Sequence, residues 1–349
     1  MSVGMTRRLF LGFTTTGLAV FAADLCGADA LVPSAKKPNL RIGVTSDIHI
    51  RYRKAMKKWE QALHFFDAQK VDGVLVSGDM ADSGLVKELE LVAESWFKVF
   101  PNGRRSDGEP VANLLHYGDH DTGGYLWKKD EFRKRNEYVR MSDAEFDKFL
   151  DEQMLYRFNH RAEAWERCFK EKFEPIRKVN VKGYDFVLAH FDPRGPKGGN
   201  NTPGLREFLA AQKFDPKKPF FYSQHRVSNG TAFGTGTGRK GHDDGESTEI
   251  LSHYPNCVAF CGHMHRSYFC EKCFWKGGFT CIQIPALQNP IVASGSDPTD
   301  LSNGKVDRSV TQCYVLNVYD DEIVIERRNF VSGEKEAEDW ETPVRSFAG

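Results

Sequence analysis

The stretch Gly73-Val74-Leu75-Val76-Ser77-Gly78-Asp79-Met80-Ala81-Asp82 decides how the rest of the chain is interpreted. Its apolar run from Val74 to Val76 predicts a short buried strand. The strand ends in Ser-Gly, and the carboxylate of Asp79 follows where the strand meets its loop. Ligands of α/β sheets bind at that carboxyl edge. We therefore expect Asp79 at the rim of a site, with Asp82 one turn further on.

The same arrangement recurs at four further strand ends. They are Thr45-Ser46-Asp47-Ile48-His49, Tyr117-Gly118-Asp119-His120-Asp121, Ser223-Gln224-His225 and Cys261-Gly262-His263-Met264-His265. A Gly-Asp-x-x-Asp sequence alone is more often a turn or a helix cap than a metal site. Five strand ends that all present Asp or His favour a metal centre assembled from separate segments.

The first thirty residues have the pattern of an export signal. Thr6-Arg7-Arg8-Leu9-Phe10-Leu11 is a twin-arginine sequence, an apolar run follows, and Ala28-Asp29-Ala30 is a small-x-small cleavage site. The apolar run is too short to span a bilayer as a stable helix. The alternative is a retained N-terminal anchor. We predict a signal peptide at 1–30, recognised by the twin-arginine translocation machinery, and a periplasmic or extracellular location for the folded protein.

The amino-acid composition limits the kinds of binding partner that we expect. Lys and Arg total 48 and Asp and Glu total 48, so the formal net charge is zero. The chain lacks the basic excess that would indicate a nucleic-acid surface. No segment after the first thirty residues is apolar and long enough to span a membrane. Removing 30 of 349 residues leaves 319, which suits one large domain with insertions. We place that domain at 39–332 and expect a loose polar tail at 333–349.

Strands and helices alternate along the chain, which predicts an α/β fold. A strand at 40–45 leads to a helix at 56–69, where Trp59, Leu63 and Phe66 recur at helical spacing. After the strand that precedes Asp79, a second helix is predicted at 87–100. Further strands are predicted at 111–117, 184–189, 219–223, 257–262, 278–284, 312–318 and 322–330, and a helix start at Thr202-Pro203.

Two segments interrupt the alternation. In the first, 122–175, Ser142-Asp143-Ala144-Glu145 is a capping box that opens one helix, and 160–173 predicts another. This insertion is either a solvated helical segment or a cover over the site. The second segment, 228–245, is rich in glycine and is either a phosphate-binding loop or a flexible connection. Neither segment identifies a substrate.

In order and spacing, the five motifs resemble those of the calcineurin-like metallophosphoesterases. That family has Asp-x-His, Gly-Asp-x-x-Asp, Gly-Asn-His-Asp/Glu, a lone His after a strand, and Gly-His-x-His. The match extends over about 41–330. The resemblance implies a four-layer α/β sandwich, in which two mixed sheets are flanked by helices, with a helical insertion. It also implies a two-metal site at one end.

The resemblance also implies which residues bind metal. One ion would be held by Asp47, His49, Asp79 and His265, and the other by Asp79, Asp119, His225 and His263, so that Asp79 bridges them. A mixed set of carboxylates and imidazoles without thiolate suits Zn, Fe or Mn. Two such ions bind a bridging hydroxide and hold phosphate oxygens during an in-line displacement.

Three further positions follow from the same resemblance. His120 would be the general acid, or an electrostatic clamp on the phosphoryl group. Asp82 would orient His120, and Asp121 is a candidate for supporting the ligands. One departure is Asp119, where the family has Asn. A third carboxylate predicts tighter metal binding but weaker attraction for phosphate, and it suits a trivalent ion.

Other histidines and the cysteines allow alternatives. His190 also follows a strand and is the rival of His225, which fits the motif order better. Removing Cys26 leaves seven cysteines. Disulfides are plausible in an oxidising compartment; free thiols, or zinc bound by Cys270, Cys273 and Cys281, are the other interpretations.

The sequence thus predicts an exported, metal-dependent phosphoesterase that hydrolyses a small phosphomonoester or phosphodiester. A metal- or phosphate-binding protein of the same fold with weak catalysis is one alternative, motivated by Asp119. A nuclease is the other, and the absence of a basic excess counts against nucleic acid as a partner.

Overall fold

The computed structural model describes residues 36–127, 132–135, 137–193, 204–233, 243–293 and 304–346. The predicted export signal at 1–30, the helix start at Thr202-Pro203 and much of the glycine-rich segment 228–245 lie outside these residues. The helices and strands of the described chain belong to one compact unit that begins at Lys37.

Two six-stranded sheets form the centre of the fold. The first has the order β14-β13-β12-β1-β2-β3, and the second has the order β4-β5-β6-β7-β9-β8. The strands of the first are β1 Leu40–Thr45, β2 Gly73–Ser77, β3 Ala112–His116, β12 Gln312–Val318, β13 Glu322–Asn329 and β14 Trp340–Pro343. Those of the second are β4 Ile176–Val181, β5 Tyr184–Ala189, β6 Phe220–Ser223, β7 Cys257–Cys261, β8 Phe274–Lys276 and β9 Thr280–Gln283. A separate pair joins β10 Ile291–Val292 to β11 Lys305–Val306.

Helices cover the outer face of each sheet. The helices are α1 Arg53–Ala68, α2 Val86–Val99, α3 Asp119–Trp127, α4 Asp143–Gln153, α5 Phe158–Phe169, α6 Leu205–Ala210 and α7 Glu246–Leu251. Strands β1 to β3 are mutually parallel, as are β5, β6, β7 and β9, whereas β12, β13 and β14 pair antiparallel. Both sheets are therefore mixed.

Alternation of side chains along the strands produces the layers. In β2, Val74 and Val76 pack with α1 and α2, whereas Leu75 enters the layer between the sheets. In the second sheet, Phe221 faces that central layer and Tyr222 packs with the outer helices α6 and α7. Successive side chains of a strand point to opposite faces, so each sheet contributes to two apolar layers. The predicted sandwich of two mixed sheets flanked by helices is confirmed.

Strand predictions agree best with the structure where a strand is buried on both faces. Strands β1, β5 and β12 have the predicted bounds, whereas α1 begins at Arg53, three residues before the predicted start. The first turn of α1 is basic and exposed, so its apolar periodicity becomes visible only at Met56. Among the described residues, no helix has the length and apolar character needed to cross a membrane.

The insertion carries the predicted capping box. The amide of Glu145 donates to Ser142 Oγ, and the Glu145 carboxylate accepts from the Ser142 amide at 2.8 Å. Helix α5 packs on α2, while the rest forms a small core with Leu85, the residue that precedes α2: Phe132, Tyr138, Phe146, Leu150 and Met154. The insertion is therefore a docked element, and Arg135 reaches the loop after β2 by donating to Ser83 Oγ at 3.0 Å.

The polar tail is not loose where the structure describes it. Strand β14 pairs with β13, and the Trp340 side chain is 5% exposed in the layer between the sheets. Its ring stacks on Phe274, with 5.1 Å between centroids, and its Nε1 donates to Glu271. The expectation of a loose tail was wrong because it rested on average polarity, while one buried aromatic side chain anchors the segment.

Candidate metal centre

The five motifs meet at one edge of the sandwich. Asp47, Asp79 and Asp119 follow β1, β2 and β3, while His225 follows β6 and the pair His263 and His265 follows β7. These strands are parallel within their sheets, so their carboxyl ends lie together. Asp79, Asp119, His225 and His263 form one group and Asp47, His49 and His265 another, with all ligand atoms of each group within 4.8 Å of one another. A third, overlapping group contains His49, Asp79 and His120.

The backbone at these positions is strained. Asp47, His49, Asp79, His263 and His265 have φ between 45° and 71°, in the left-handed region. That conformation costs a non-glycine residue on the order of 1–3 kcal/mol and persists only where the surroundings enforce it. Half of the ten non-glycine residues with positive φ in the described chain are candidate ligands. The strain turns consecutive side chains toward a common centre.

Two motif glycines allow the loops to approach each other. A Cβ on Gly118 would lie 2.3 Å from Asp79 Oδ1, and one on Gly262 would lie 2.0 Å from Ser46 Oγ. Both distances are far below van der Waals contact, and the obstacle at Gly118 includes the Asp79 backbone nitrogen at 2.4 Å. These positions require glycine because any side chain would separate the segments that carry the carboxylates.

In the first group, His225 lies between two carboxylates. Its Nε2 is 3.1 Å from Asp79 Oδ2 and 3.4 Å from Asp119 Oδ1. Its Nδ1 lies 2.7 Å from the Ser77 carbonyl oxygen, which can only accept, so Nδ1 carries a proton. In the neutral imidazole the lone pair is then on Nε2 and points at the carboxylates. His263 Nδ1 completes this group, 3.3 Å from Asp119 Oδ2.

The second group repeats this arrangement. His265 Nε2 lies 3.1 Å from Asp47 Oδ1 and 3.1 Å from His49 Nε2. The other nitrogen, Nδ1, donates to the Asn289 carbonyl at 3.1 Å, which fixes the tautomer. His49 Nε2 lies 3.8 Å from Asp47 and 3.7 Å from Asp79 Oδ2. Asp79 is therefore in reach of both groups.

The residues present fit metal cations. Asp47 Oδ1 and Asp119 Oδ1 are buried and accept no hydrogen bond from the described residues. Burial raises the pKa of the Asp47 carboxyl group. The neighbouring His265, His225 and His49 together lower this pKa by more than burial raises it, so it lies well below the ordinary value. Buried anionic oxygens without donors, beside imidazole nitrogens, are the donor set of Zn, Fe or Mn sites. The structure thus contains Asp and His groups that can hold metal.

His120 lies against the second group. Its ring meets that of His49 edge-on, with 4.6 Å between centroids, and its amide donates to Asp79 Oδ1 at 2.9 Å. Nδ1 donates to the backbone oxygen of Asp82 at 2.8 Å. Burial lowers the pKa of His120, but Asp79 and Asp119 outweigh it, so the pKa is raised above the ordinary value. An imidazole held in this way is suited to donating a proton.

Asp82 contacts different partners from those expected. Its backbone oxygen holds His120, while its carboxylate accepts from Arg51 Nε at 2.8 Å and lies 3.5 Å from His49 Nδ1. The side chain thus orients the candidate ligand His49. The neighbouring loop is held by Asp121, whose carboxylate accepts from the amides of Met80, Ala81 and Gly118. Burial and Asp79 raise the pKa of Asp121 to about 7.

Sequence reasoning missed Arg226. Its Nε and Nη2 donate to Asp119 Oδ2 at 3.1 and 2.9 Å, and its guanidinium lies over the Phe191 ring at 5.1 Å. The side chains of Arg226 and Asp119 are 10% and 0% exposed, so this is a buried ion pair. Adjacency to His225 was the available signal, because a residue next to a ligand in a short loop shares its surroundings.

His190 and the cysteines, which the sequence offered as alternative ligands, lie outside the candidate ligand groups. His190 is 2% exposed; its Nδ1 accepts from the Tyr117 amide at 3.1 Å, and its ring packs on Trp165. Burial lowers its pKa far below the ordinary value. The seven cysteines of the described chain are buried free thiols, and Cys261 and Cys281 have Sγ atoms 3.9 Å apart. Within the described residues, no group with metal-ligand spacing contains cysteine.

Several solved structures, including phosphatases, are similar to this structure in fold. The dimetal phosphatase from Danio rerio is similar at 11% identity and a TM-score of 0.48, over 88% of this chain and all of that one. The purple acid phosphatase PPD1 from yellow lupin (Lupinus luteus) is similar at 12% identity and a TM-score of 0.46, over 89% of this chain and 55% of that one. PhoD is similar at 10% identity and a TM-score of 0.45, over 89% and 69%. No curated protein matches the sequence significantly.

The family assignment rests on the sequence profile. The profile of the calcineurin-like phosphoesterases matches residues 40–267, which is more than half of the chain and includes all five motifs. The two mixed sheets flanked by helices agree with that fold. The chain belongs to the calcineurin-like phosphoesterase family and is a hydrolase that acts on phosphoester bonds.

Proposed function

We propose that the protein is an exported phosphoesterase with two metal ions, which hydrolyses a small phosphomonoester or phosphodiester. The observation that carries the proposal is the position of Asp79. Its Oδ2 lies 3.1 Å from His225 in one group and 3.7 Å from His49 in the other. A carboxylate shared between two ligand groups is what a dinuclear site requires.

The ligand sets are those implied by the family. Asp47, His49, Asp79 and His265 would hold one ion. Asp79, Asp119, His225 and His263 would hold the other. When bound, two such ions attract phosphate oxygens as Lewis acids and lower the pKa of water. Their identity among Zn, Fe and Mn is a matter for elemental analysis.

The chain's own residues supply the proton and the orientation. His120, held at Nδ1 by the Asp82 carbonyl, directs its other nitrogen away from that contact and donates a proton to the leaving oxygen. The Asp82 carboxylate and Arg51 fix His49. Ser77 and Asn289, through their backbone oxygens, fix His225 and His265. A site built in this way needs no rearrangement of its imidazoles to receive substrate.

Arg226 weakens the case for a binding protein with little catalysis. With two divalent ions, the carboxylates of Asp47, Asp79 and Asp119 leave one positive charge, whereas Asn in place of Asp119 leaves two. Arg226, in contact with Asp119, restores the second positive charge. The pair thus has the same formal charge as the Asn found in the family. The attraction for a phosphate group is maintained.

Export is proposed on the Arg7-Arg8 sequence and the Ala28-Asp29-Ala30 site alone. Translocation of a folded chain would allow the metal ions to be inserted before the protein leaves the cytoplasm.

Asp79→Asn tests the shared carboxylate. Removing its charge takes one anionic ligand from both ions, so we expect clearly fewer than two metal ions per chain by elemental analysis. Asp147→Asn, an exposed position on α4, is the control and should keep the wild-type content. Two ions per chain and unchanged turnover in Asp79→Asn would remove this residue from the bridging role.

His120→Ala tests the acid. We expect unchanged metal content and turnover slower by roughly 10²–10⁴-fold, the usual contribution of general acid catalysis. The loss should be smaller for nitrophenyl phosphate than for an alkyl phosphate, because nitrophenolate leaves without a proton. An equal loss for both substrates would indicate that His120 instead stabilises charge on the phosphoryl group.

Arg226→Gln and Asp119→Asn test the ion pair as a two-by-two set. Arg226→Gln removes one positive charge and should weaken inhibition by inorganic phosphate about tenfold, the scale of one charged hydrogen bond. The double variant restores the net charge and should recover most of that inhibition. If the double variant is as weak as Arg226→Gln, Arg226 acts by some means other than charge balance.

Replacing Arg7 and Arg8 by Lys tests export. The precursor should accumulate in the cytoplasm, as measured by cell fractionation and N-terminal sequencing, while the matched changes Lys36→Arg and Lys37→Arg should not affect it. A mature protein that still begins before Arg7 would contradict the assignment.

A further inference from the structure

A cationic cavity opens beside the candidate metal centre. Its volume is about 630 Å³, and His49 and Asp82 form the side toward the metal ligands. Residues from the first turns of α1 and from the segment around Arg308 also line the cavity. This volume is in the range of cavities that hold small-molecule ligands. The cavity lies on a different part of the chain from the two segments that the sequence offered for specificity.

Most of the charged side chains that line the cavity are cationic. Five cationic side chains line it, namely Arg51, Lys54, Lys57, Lys58 and Arg308, and Asp82 is the carboxylate among the lining residues described. Arg51 is paired with Asp82 at 2.8 Å. Among the described residues, no carboxylate forms an ion pair with Lys54, Lys57 or Arg308. The chain as a whole is neutral, so this concentration of positive charge is local.

Helix α1 directs its lysines into the cavity. Lys54, Lys57 and Lys58 have i, i+3, i+4 spacing and share one face of the helix, while Trp59 and Phe66 on the other face are fully buried. The first turn of α1 contains no acidic residue, although acids are favoured there by the helix dipole. Clustered lysines near a helix N-terminus oppose the helix dipole, and an anion bound beside them would offset that unfavourable interaction.

Lys58 is partly withdrawn from water. Its Nζ donates to the carbonyl oxygens of Arg308 at 3.2 Å and Val310 at 2.6 Å. Burial lowers the pKa of Lys58 to about 8, against a smaller opposing effect of Asp307, so it remains mostly protonated at neutral pH. Arg308 in turn donates through Nε to Asn289 Oδ1 at 2.8 Å. Asn289 also holds His265, so the cavity wall and the metal ligands are joined.

We propose that this cavity binds a second phosphate group of the substrate, which makes the enzyme selective for small molecules with two phosphate groups. The inference rests on the proposed function for the group that reacts next to His49. The second phosphate lies further along the cavity, between the lysines of α1 and Arg308. A cavity of this size, lined by several cationic side chains, suits a small molecule with more than one anionic group.

The test compares matched substrates. A series of α,ω-alkanediol bisphosphates of increasing length is assayed against the corresponding alkanediol monophosphates, in wild type and in Lys54→Gln/Lys57→Gln. Gln has nearly the same helix propensity as Lys, so α1 should be preserved. The control is Lys213→Gln/Lys217→Gln, two exposed lysines outside the cavity. If the metal-loaded protein hydrolyses neither substrate, its binding of each bisphosphate is measured by calorimetry.

We expect a higher kcat/KM for at least one bisphosphate than for its monophosphate. That ratio should fall about tenfold or more in the Lys54/Lys57 variant and stay constant in the control, because each lost charged contact is a substantial share of anion affinity. Equal kcat/KM for both substrates in wild type, or a ratio unaffected by the variant, would overturn the inference and leave the proposed function intact.

Other outcomes distinguish failure of the proposed function from failure of the cavity assignment. If the metal-loaded protein hydrolyses neither substrate, the proposed function fails. In that case, calorimetric binding of a bisphosphate that is lost in the Lys54/Lys57 variant still supports the cavity assignment, and no binding overturns it. A higher kcat/KM for a single-stranded oligonucleotide than for every bisphosphate would overturn the small-molecule assignment.

Discussion

Three buried carboxylates gathered at one edge of the sandwich are the constraint on which this structure depends. Asp47, Asp79 and Asp119 are at most 1% exposed. Removing a carboxylate from water costs several kcal/mol, and neighbouring anions repel each other at short range. Imidazoles, the Arg226 guanidinium and the proposed cations are what balance this charge. The folded chain therefore gathers basic groups around these carboxylates at one edge of the sandwich.

The two sheets supply the rigidity that the charged edge requires. Each carboxylate follows a buried parallel strand, and left-handed backbone at Asp47, Asp79 and His265 turns the side chains inward. Hydrogen bonds cross between the segments: the His263 amide donates to Asp47, and Ser77 Oγ donates to the Gln224 carbonyl of the second sheet. The site thus forms only when both sheets are packed, which links its geometry to the stability of the central layer.

Asp119 and Asp82 each contact more than one partner, and these contacts have different roles. Asp119 would weaken phosphate binding by itself, but its partner Arg226 offsets the extra charge. Asp82 divides its functions, with the backbone oxygen on His120 and the carboxylate on His49 and Arg51. Beyond Arg51 the positive charge continues along α1. The candidate metal ligands and the cationic cavity thus adjoin each other, with His49 common to both.

The sequence determined the fold class, the order of the motifs and the candidate ligand residues, because strand burial and Asp/His placement at strand ends are local patterns. Tertiary structure alone decided which partners those residues meet. Arg226 pairs with Asp119 across 107 positions, and Lys58 meets the carbonyl of Val310 across 252. The anchored strand at Trp340 and the cavity that joins α1 to Arg308 escaped prediction for the same reason. Charge and burial depend on neighbours distant in the chain, which periodicity along the sequence does not record.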